Sequence, residues 1–242
     1  RYTIYTYLKY CGVRSLDYVF ISHPDKDHVN GIYELIELCD NTFEIGTVVL
    51  PGISRAAAVK KQADDDMSKL ERILKNAGIN VVYADAGDCI KSGEFSVECM
   101  HPCKGYNYES ANDYSAVYLV EYGDFSMLMT GDAEKKAEKC IIEDVNSMTG
   151  DAGEPARLVS VNILKVGHHG SKGASSEEFL SYVKPETALI SCGAGNSYGH
   201  PHTQTLQRLS GIGAKVYRTD ESGEIAVRVR DGLYKIEVFK AL

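Results

Sequence analysis

The chain has 242 residues, 44% hydrophobic and 25% charged, an ordinary globular balance that excludes a disordered, collagen-like or coiled-coil chain. Lys and Arg number 26 against 34 Asp and Glu, a net charge of −8, which argues against a broad electrostatic grip on nucleic acid and leaves room for a local basic groove. Apolar runs such as 18–21 and 116–120 are strand-length, far short of the ~18 residues a membrane helix needs, so no transmembrane segment is expected in this chain.

Apolar periodicity predicts a strand at 17–22, a helix on Val29, Ile32, Leu35, Ile36 and Cys39, a strand at 47–50, and a helix on Met67, Leu70, Ile73, Leu74 and Ala77. Strands follow at 80–83, 95–100, 115–121 and 125–130, then a helix over 133–145. A strand at 160–166, helix at 179–183, strand at 187–191, helix at 206–212 and strands at 215–218, 224–229 and 233–239 complete the chain. Back-to-back strands around Gly123 and Asp231 read as hairpins, so a mixed α/β arrangement is expected rather than a doubly wound parallel sheet. Residues 51–66 and 146–156 read as loops, with Asp64, Asp65 and Asp66 as the acidic opening of the next helix, and one domain over 1–242 is expected.

Seven cysteines without a C-x-x-C, the nearest pair being Cys99 and Cys103, give no sign of a disulfide framework. Cys11, Cys39, Cys89, Cys140 and Cys192 sit in apolar contexts and are expected to be small buried hydrophobes. Residues 1–10 lack the basic stretch and small-residue cleavage site of a signal peptide.

The chemistry concentrates where strands end. Phe20-Ile21-Ser22-His23-Pro24-Asp25-Lys26-Asp27-His28 runs from an apolar strand into two imidazoles and two carboxylates, which can point into one small volume and serve two adjacent metal ions. Thr130-Gly131-Asp132 closes another strand, where Asp132 alone reads equally as a helix cap or a ligand. His168-His169-Gly170-Ser171 follows a third, since paired histidines flanked by glycines rarely serve packing. A fourth strand leads through Gly193 to Asn196-Ser197-Tyr198-Gly199-His200-Pro201-His202; the spacing of Gly195 and Gly199 does not match the dinucleotide fingerprint.

In this order H-x-D-x-D-H, Thr-Gly-Asp, His-His-Gly-Ser and N-x-Y-G-H-P resemble the metallo-β-lactamase superfamily, and within it the extracytoplasmic domain of ComEC-type competence proteins, channels that take up transforming DNA. The resemblance runs from about Val13 to Val229. It implies an αβ/βα sandwich, two sheets face to face with outer helices, and a two-metal hydrolase site at one edge. The family domain opens with further strands, so the first sheet is expected to be incomplete. Carried over, His23 and Asp25 would hold one ion, Asp27 and His28 the other, Asp132 would bridge, and His169, or alternatively His168, would complete the second site. Asn112, Asp113 and Ser115 stand where the superfamily usually supplies a further histidine, so the first ion would be completed by Asp113 or water. Asp27, His168 and His200 would be catalytic, with Asn112, Ser115, Ser171, Asn196 and Tyr198 at the substrate; His101 and His202 read as structural. Asp25 replaces an imidazole by a harder oxygen, which tilts two divalent sites from Zn²⁺ towards Mn²⁺ or Mg²⁺ and argues against a β-lactamase.

The implied activity is phosphodiester hydrolysis on single-stranded DNA, the strand not imported, by a domain tethered outside the membrane to the parent's channel. Lys165, Lys172 and Arg55 with Lys60 and Lys61 are the cations that could hold such a polyanion. Two rival readings keep the fold: a small-phosphoester hydrolase resembling phosphorylcholine esterases, with tyrosines forming an aromatic cage, and a degenerate module that binds nucleic acid without cutting it.

Overall fold

The computed structural model describes residues 3–38, 43–52, 61–103, 112–147 and 160–239. The first half alternates helix and strand: α1 (Thr3–Tyr10), β1 (Ser15–Phe20), α2 (Lys26–Leu38), β2 (Glu44–Pro51), α3 (Lys61–Asn76) and β3 (Asn80–Ala84). Its three strands pair in parallel in the order β1-β2-β3. An antiparallel run follows, β4 (Cys89–Ser92), β5 (Phe95–His101), β6 (Val117–Tyr122) and β7 (Phe125–Met129), and then a helix–strand alternation: α4 (Lys135–Ser147), β8 (Ile163–Lys165), α5 (Glu177–Val183), β9 (Thr187–Ile190), α6 (Thr203–Gly211) and β10 (Lys215–Arg218). These make one mixed sheet of seven strands, β10-β9-β8-β7-β6-β5-β4. A single turn of helix, α7 (Thr219–Ser222), leads to the hairpin β11 (Glu224–Arg230) and β12 (Leu233–Phe239).

The period of two along each strand sorts the core into layers. One face of the large sheet, with Val117, Leu119, Leu128, Leu164, Ala188 and Ile190, packs on α4, α5 and α6 through residues such as Ile141, Phe179 and Leu209. The alternate residues face the other way. Val97, Cys99 and Tyr118 meet Phe20, Val49 and Ala84 of the small sheet, and Phe125, Ile163 and Leu189 meet the β11–β12 hairpin. The far face of the small sheet packs on α2 and α3 through Val29, Ile32, Leu70 and Leu74. The result is the expected αβ/βα sandwich of mixed α/β class.

The hairpins at Gly123 and Asp231 form as expected. Among the described residues, α1, α7 and the edge strand β4 escaped the sequence pattern; Cys89 and Lys91 of β4 are exposed and so carry no apolar alternation. α3 begins at Lys61, inside the stretch that reads as a loop, so the aspartate triplet lies within the helix rather than at its first residue. Most of the expected 146–156 loop, and residues 53–60, lie outside the described residues, whereas β8 is shorter than 160–166.

The cysteine expectation needs correcting: Cys103 and Cys140 are disulfide-bonded, tying the segment after β5 to α4. Cys11 and Cys89 are exposed, Cys192 is half-buried, and Cys39 lies outside the described residues. Cys11 follows α1 beside the exposed Tyr10, Cys89 opens the edge strand β4 and Cys192 lies in the loop after β9, positions where apolar neighbours in sequence do not bury a side chain.

Phe179 is fully buried against the large sheet, and the buried Tyr118 hydroxyl has no hydrogen-bond partner among the described residues. Phe179→Ala is therefore expected to cost about 3–5 kcal/mol. Tyr118→Phe removes an unsatisfied polar group and is expected to be neutral or to raise the melting temperature. Thermal and urea unfolding measure both.

Candidate metal centre

Parallel strands leave their carboxyl ends along one sheet edge, and a ligand site forms there because the following loops converge. β7, β8 and β9 run parallel, so Thr130–Asp132, His168–His169 and Ser191–His200 emerge together. β1 delivers Ser22 to His28 from the facing sheet, and the Ala116 N–H, just before β6, donates to the Ser22 carbonyl at 2.7 Å, fastening the two sheets at this point. Gly131 is required here: at φ +51 its backbone passes Ser22 and Ser115 so closely that a Cβ would come within 2.8 Å of the Ser22 Cβ.

Asp132 lies at the centre, 3% exposed. Its Oδ1 is 3.1 Å from His28 Nε2 and 3.6 Å from His169 Nε2. Its Oδ2 is 3.7 Å from both His23 Nε2 and His168 Nε2. Each imidazole is anchored from behind through Nδ1. His169 Nδ1 lies 2.7 Å from the Ser191 carbonyl and His168 Nδ1 2.8 Å from Glu134 Oε1. Those partners only accept, so the proton sits on Nδ1 and the Nε2 lone pair faces inward. Ser22 Oγ, 3.2 Å from Nδ1 of both His23 and His28, has lone pairs for two such protons.

Four imidazole lone pairs aimed at a buried carboxylate would repel it unless a cation lies between them. The fit shows in the polar atoms left over: His23 Nε2 and Asp132 Oδ1 are buried with no hydrogen-bond partner among the described residues, His28 Nε2 approaching without hydrogen-bond geometry. Two groups of ligand atoms are close enough for one ion each, His23 with His28 and Asp132, and Asp27 with His28 and His169. His169 Nε2 is 3.1 Å from Asp27 Oδ2 and 3.3 Å from His28 Nε2. These donors suit divalent transition ions.

The electrostatics follow burial. Burial first, and then His28, lowers the His23 pKa to about 4. Burial works to raise Asp132, but the close approach of the His28 imidazole, with His23 and His169, outweighs it and holds the carboxyl below its usual range. Asp25 is raised by burial and by Asp27 and Asp132, and His200 is lowered by burial and by His168, His202 and His169.

The backbone is strained where the ligands sit. His168 and His169 both adopt left-handed conformations, φ 45 and φ 53, at a cost of order 1–3 kcal/mol each. The His168 N–H bonds to the Gly131 carbonyl, and Gly170 packs so tightly on Pro201 that a Cβ there would clash.

Not every expected residue faces the site. Asp25 belongs to neither ligand group, its Oδ2 lying 3.7 Å from His23 Nε2. Ser115, expected at the substrate, is instead fully buried, and its Oγ accepts the Asp132 N–H at 3.0 Å. Ser171 is likewise buried and approaches Glu134, while Asn196 spans its own loop, donating to the His200 carbonyl and accepting the His200 N–H. Asn112 Nδ2 is 3.4 Å from His168 Nδ1, Asp113 is buried outside both ligand groups, and Tyr198 is exposed. His101 is fully buried, with Nδ1 2.9 Å from the Ser115 carbonyl, and His202 precedes α6.

Lys165 donates to the Val166 carbonyl beneath the cluster, and burial lowers its pKa, so it is not the surface cation expected. Arg55 and Lys60 lie outside the described residues, as does the Lys61 side chain. Lys172 remains, beside a cavity of about 630 Å³ that adjoins the cluster through Glu134 and also receives Lys135 and Lys136. Sequence reasoning missed Glu134 and these two lysines; Glu134 follows Asp132 by two positions, but only the fold brings it to His168.

No family model matches the chain. It is 29% identical over 228 residues to ComE operon protein 3 of Bacillus subtilis, covering 94% of this chain and 26% of that protein. It is 30% identical over 222 residues to competence protein ComA of Neisseria gonorrhoeae, covering 90% of this chain and again 26% of that protein. The chain thus spans about a quarter of the length of these curated relatives. Among solved structures, CmlA, a diiron β-hydroxylase from Streptomyces venezuelae, superposes over 85% of this chain and 44% of its own with a TM-score of 0.57 at 15% identity, a likeness of fold alone.

His101, like His23, is held neutral to about pH 4 by burial, against the pull of the Ser115 carbonyl. In the unfolded chain both take up protons near pH 6.5. The unfolded state therefore binds more protons between about pH 6.5 and 4, and the metal-free protein is expected to lose stability as pH falls through that window. Urea unfolding at stepped pH measures the slope, which His101→Gln should flatten even if it lowers stability throughout.

Proposed function

We propose, on the premise that this chain is a metallo-β-lactamase-like domain of the ComEC competence type, that it is a two-metal hydrolase of phosphodiesters acting on single-stranded DNA. The convergence of four imidazole Nε2 atoms on Asp132, with Asp27 at the open side, carries this reading. Ions bound there would supply an activated water and positive charge for phosphoryl oxygens.

The chain's own residues divide the remaining work. His23 and Asp132 would serve the buried position, Asp27 and His169 the open one. His28 belongs to both groups but has a single inward nitrogen, whereas Asp132 has two oxygens, one towards His28 and His169 and one towards His23 and His168, and would be the carboxylate shared between two ions. Glu134 holds His168 from behind, and His200, whose pKa is lowered by burial and by His168, His202 and His169, is the side chain we assign to taking up a proton and passing it to the leaving oxygen, which returns it to the neutral form. Lys135, Lys136, Lys172 and Arg208 line the adjoining cavity together with Asp113, Glu134, Glu177 and Glu178, so its lining has no net positive charge, and the exposed Lys172, whose N–H meets His202, is the cation we assign to a substrate phosphate. In the competence setting the domain would act outside the membrane beside the parent's channel; no helix among the described residues is long and apolar enough to cross a membrane.

Metal-stripped protein is expected to degrade labelled single-stranded DNA on return of Mn²⁺, Mg²⁺ or Zn²⁺, and Asp132→Ala is expected to lose at least about 100-fold. Cleavage that survives Asp132→Ala, or none with any metal in folded protein, would refute the assignment. Asp25 stands outside both ligand groups, its Oδ2 3.7 Å from His23 Nε2, and would join the ion at the His23 position only by turning inward. If it does, its hard oxygen favours Mn²⁺ and Asp25→His shifts competition binding towards Zn²⁺; unchanged selectivity leaves it outside the ligand set.

A further inference from the structure

Tyr198 is 77% exposed, a large aromatic side chain with most of its surface in solvent beside a buried polar centre. It does not pack in the core, and it is not loose. Its ring stacks on His200 at 5.8 Å and 26°, and His200 in turn stacks on His169 at 6.5 Å and 20°. His169 Nε2 is the atom 3.1 Å from Asp27 in the open ligand group. Three nearly parallel rings thus form a stair from solvent to the metal cluster.

The loop that carries the stair is locked. Asn196 Nδ2 donates to the carbonyls of His200 at 2.6 Å and Gly193 at 2.9 Å, while its Oδ1 accepts the His200 N–H at 3.0 Å. A fixed ring loses little entropy when a flat ligand settles on it. The Lys172 N–H donates to His202 Nδ1 at 3.2 Å, so the exposed Lys172 stands on the adjoining loop, and His200 meets His202 edge to face at 4.9 Å. A planar ligand carrying phosphates fits an exposed aromatic step next to a cation and a two-metal centre. Every nucleobase has a π-face, so such a step is tolerant of sequence but needs the base unpaired.

We propose that the Tyr198–His200 step is a nucleobase-stacking subsite, which selects single-stranded polynucleotide and sets the neighbouring phosphodiester over the metal cluster. The proposal rests on the phosphodiesterase reading and adds the recognition element to it. It assigns Tyr198 to binding the base rather than to the reacting atoms.

The test compares cleavage of an unstructured oligonucleotide with that of the same backbone bearing a run of abasic sites. Native protein should prefer the base-bearing strand, and Tyr198→Ala should cut that preference roughly 5- to 150-fold, the value of one stacked base. Tyr198→Phe and Tyr198→Trp should retain it. A preference unchanged in Tyr198→Ala overturns the proposal, as does equal cleavage of both strands by native protein. If neither strand is cleaved, the phosphodiesterase reading has failed, and a second measurement on metal-free protein decides the subsite. There, fluorescence of a 2-aminopurine oligonucleotide should be quenched by native protein and not by Tyr198→Ala; equal signals with both would overturn it, leaving Tyr198 as a contact for a protein partner.

Discussion

A carboxylate taken out of water among four imidazoles is the condition around which this molecule is built. Asp132 is buried, and each of the four Nε2 atoms lies 3.1 to 3.7 Å from one of its oxygens. An ionised carboxylate in such a place is stable only when positive charge compensates its lost hydration. Neutral imidazoles with their protons held away on Nδ1 cannot do so alone. Ser22, Glu134 and the Ser191 carbonyl therefore matter as much as the ligands they orient.

The sandwich exists to bring those groups from separate strands to one edge. Three parallel strands of the large sheet and one of the small sheet end there, and the Ala116–Ser22 backbone bond fixes their relative position. Behind the centre runs a buried chain: His101 to the Ser115 carbonyl, and the Ser115 hydroxyl to the Asp132 backbone. The large helical core on one face and the small sheet on the other leave that chain no room to relax. This rigidity supports the two left-handed histidines, a strain that an isolated loop would release.

Towards solvent the character changes. Asp27 is exposed, His200 and His169 are half-buried, and Tyr198 stands out from the surface, while three lysines approach from the cavity on the Glu134 side. With a net charge of −8, and with Asp113, Glu134, Glu177 and Glu178 lining the same cavity, any attraction of a polyanion is confined to single local cations such as the exposed Lys172. The proposed stacking on Tyr198 would add a recognition energy that depends less on charge, which suits an acidic surface.

Much of this was legible in the chain itself. The order of strands and helices followed from periods of two and 3.6, because burial on one face imposes them wherever an element packs. The four clusters at strand ends were visible because imidazoles and carboxylates there have no packing role. Elements without an apolar face, β4 and α7, were not visible, nor was the pairing of Cys103 with Cys140, which is a matter of distance in space. Residue type alone could not tell that Ser115 turns inward to hold Asp132, that Asn196 holds its own loop, or that both His168 and His169 reach the centre. The sequence by itself determined the layers and the ligand inventory, since both depend on local pattern and chemical type. Tertiary structure alone decided which nitrogen of each histidine points inward, which lysines reach the surface beside the site and which ring stacks on which, because those depend on contacts between residues dozens of positions apart.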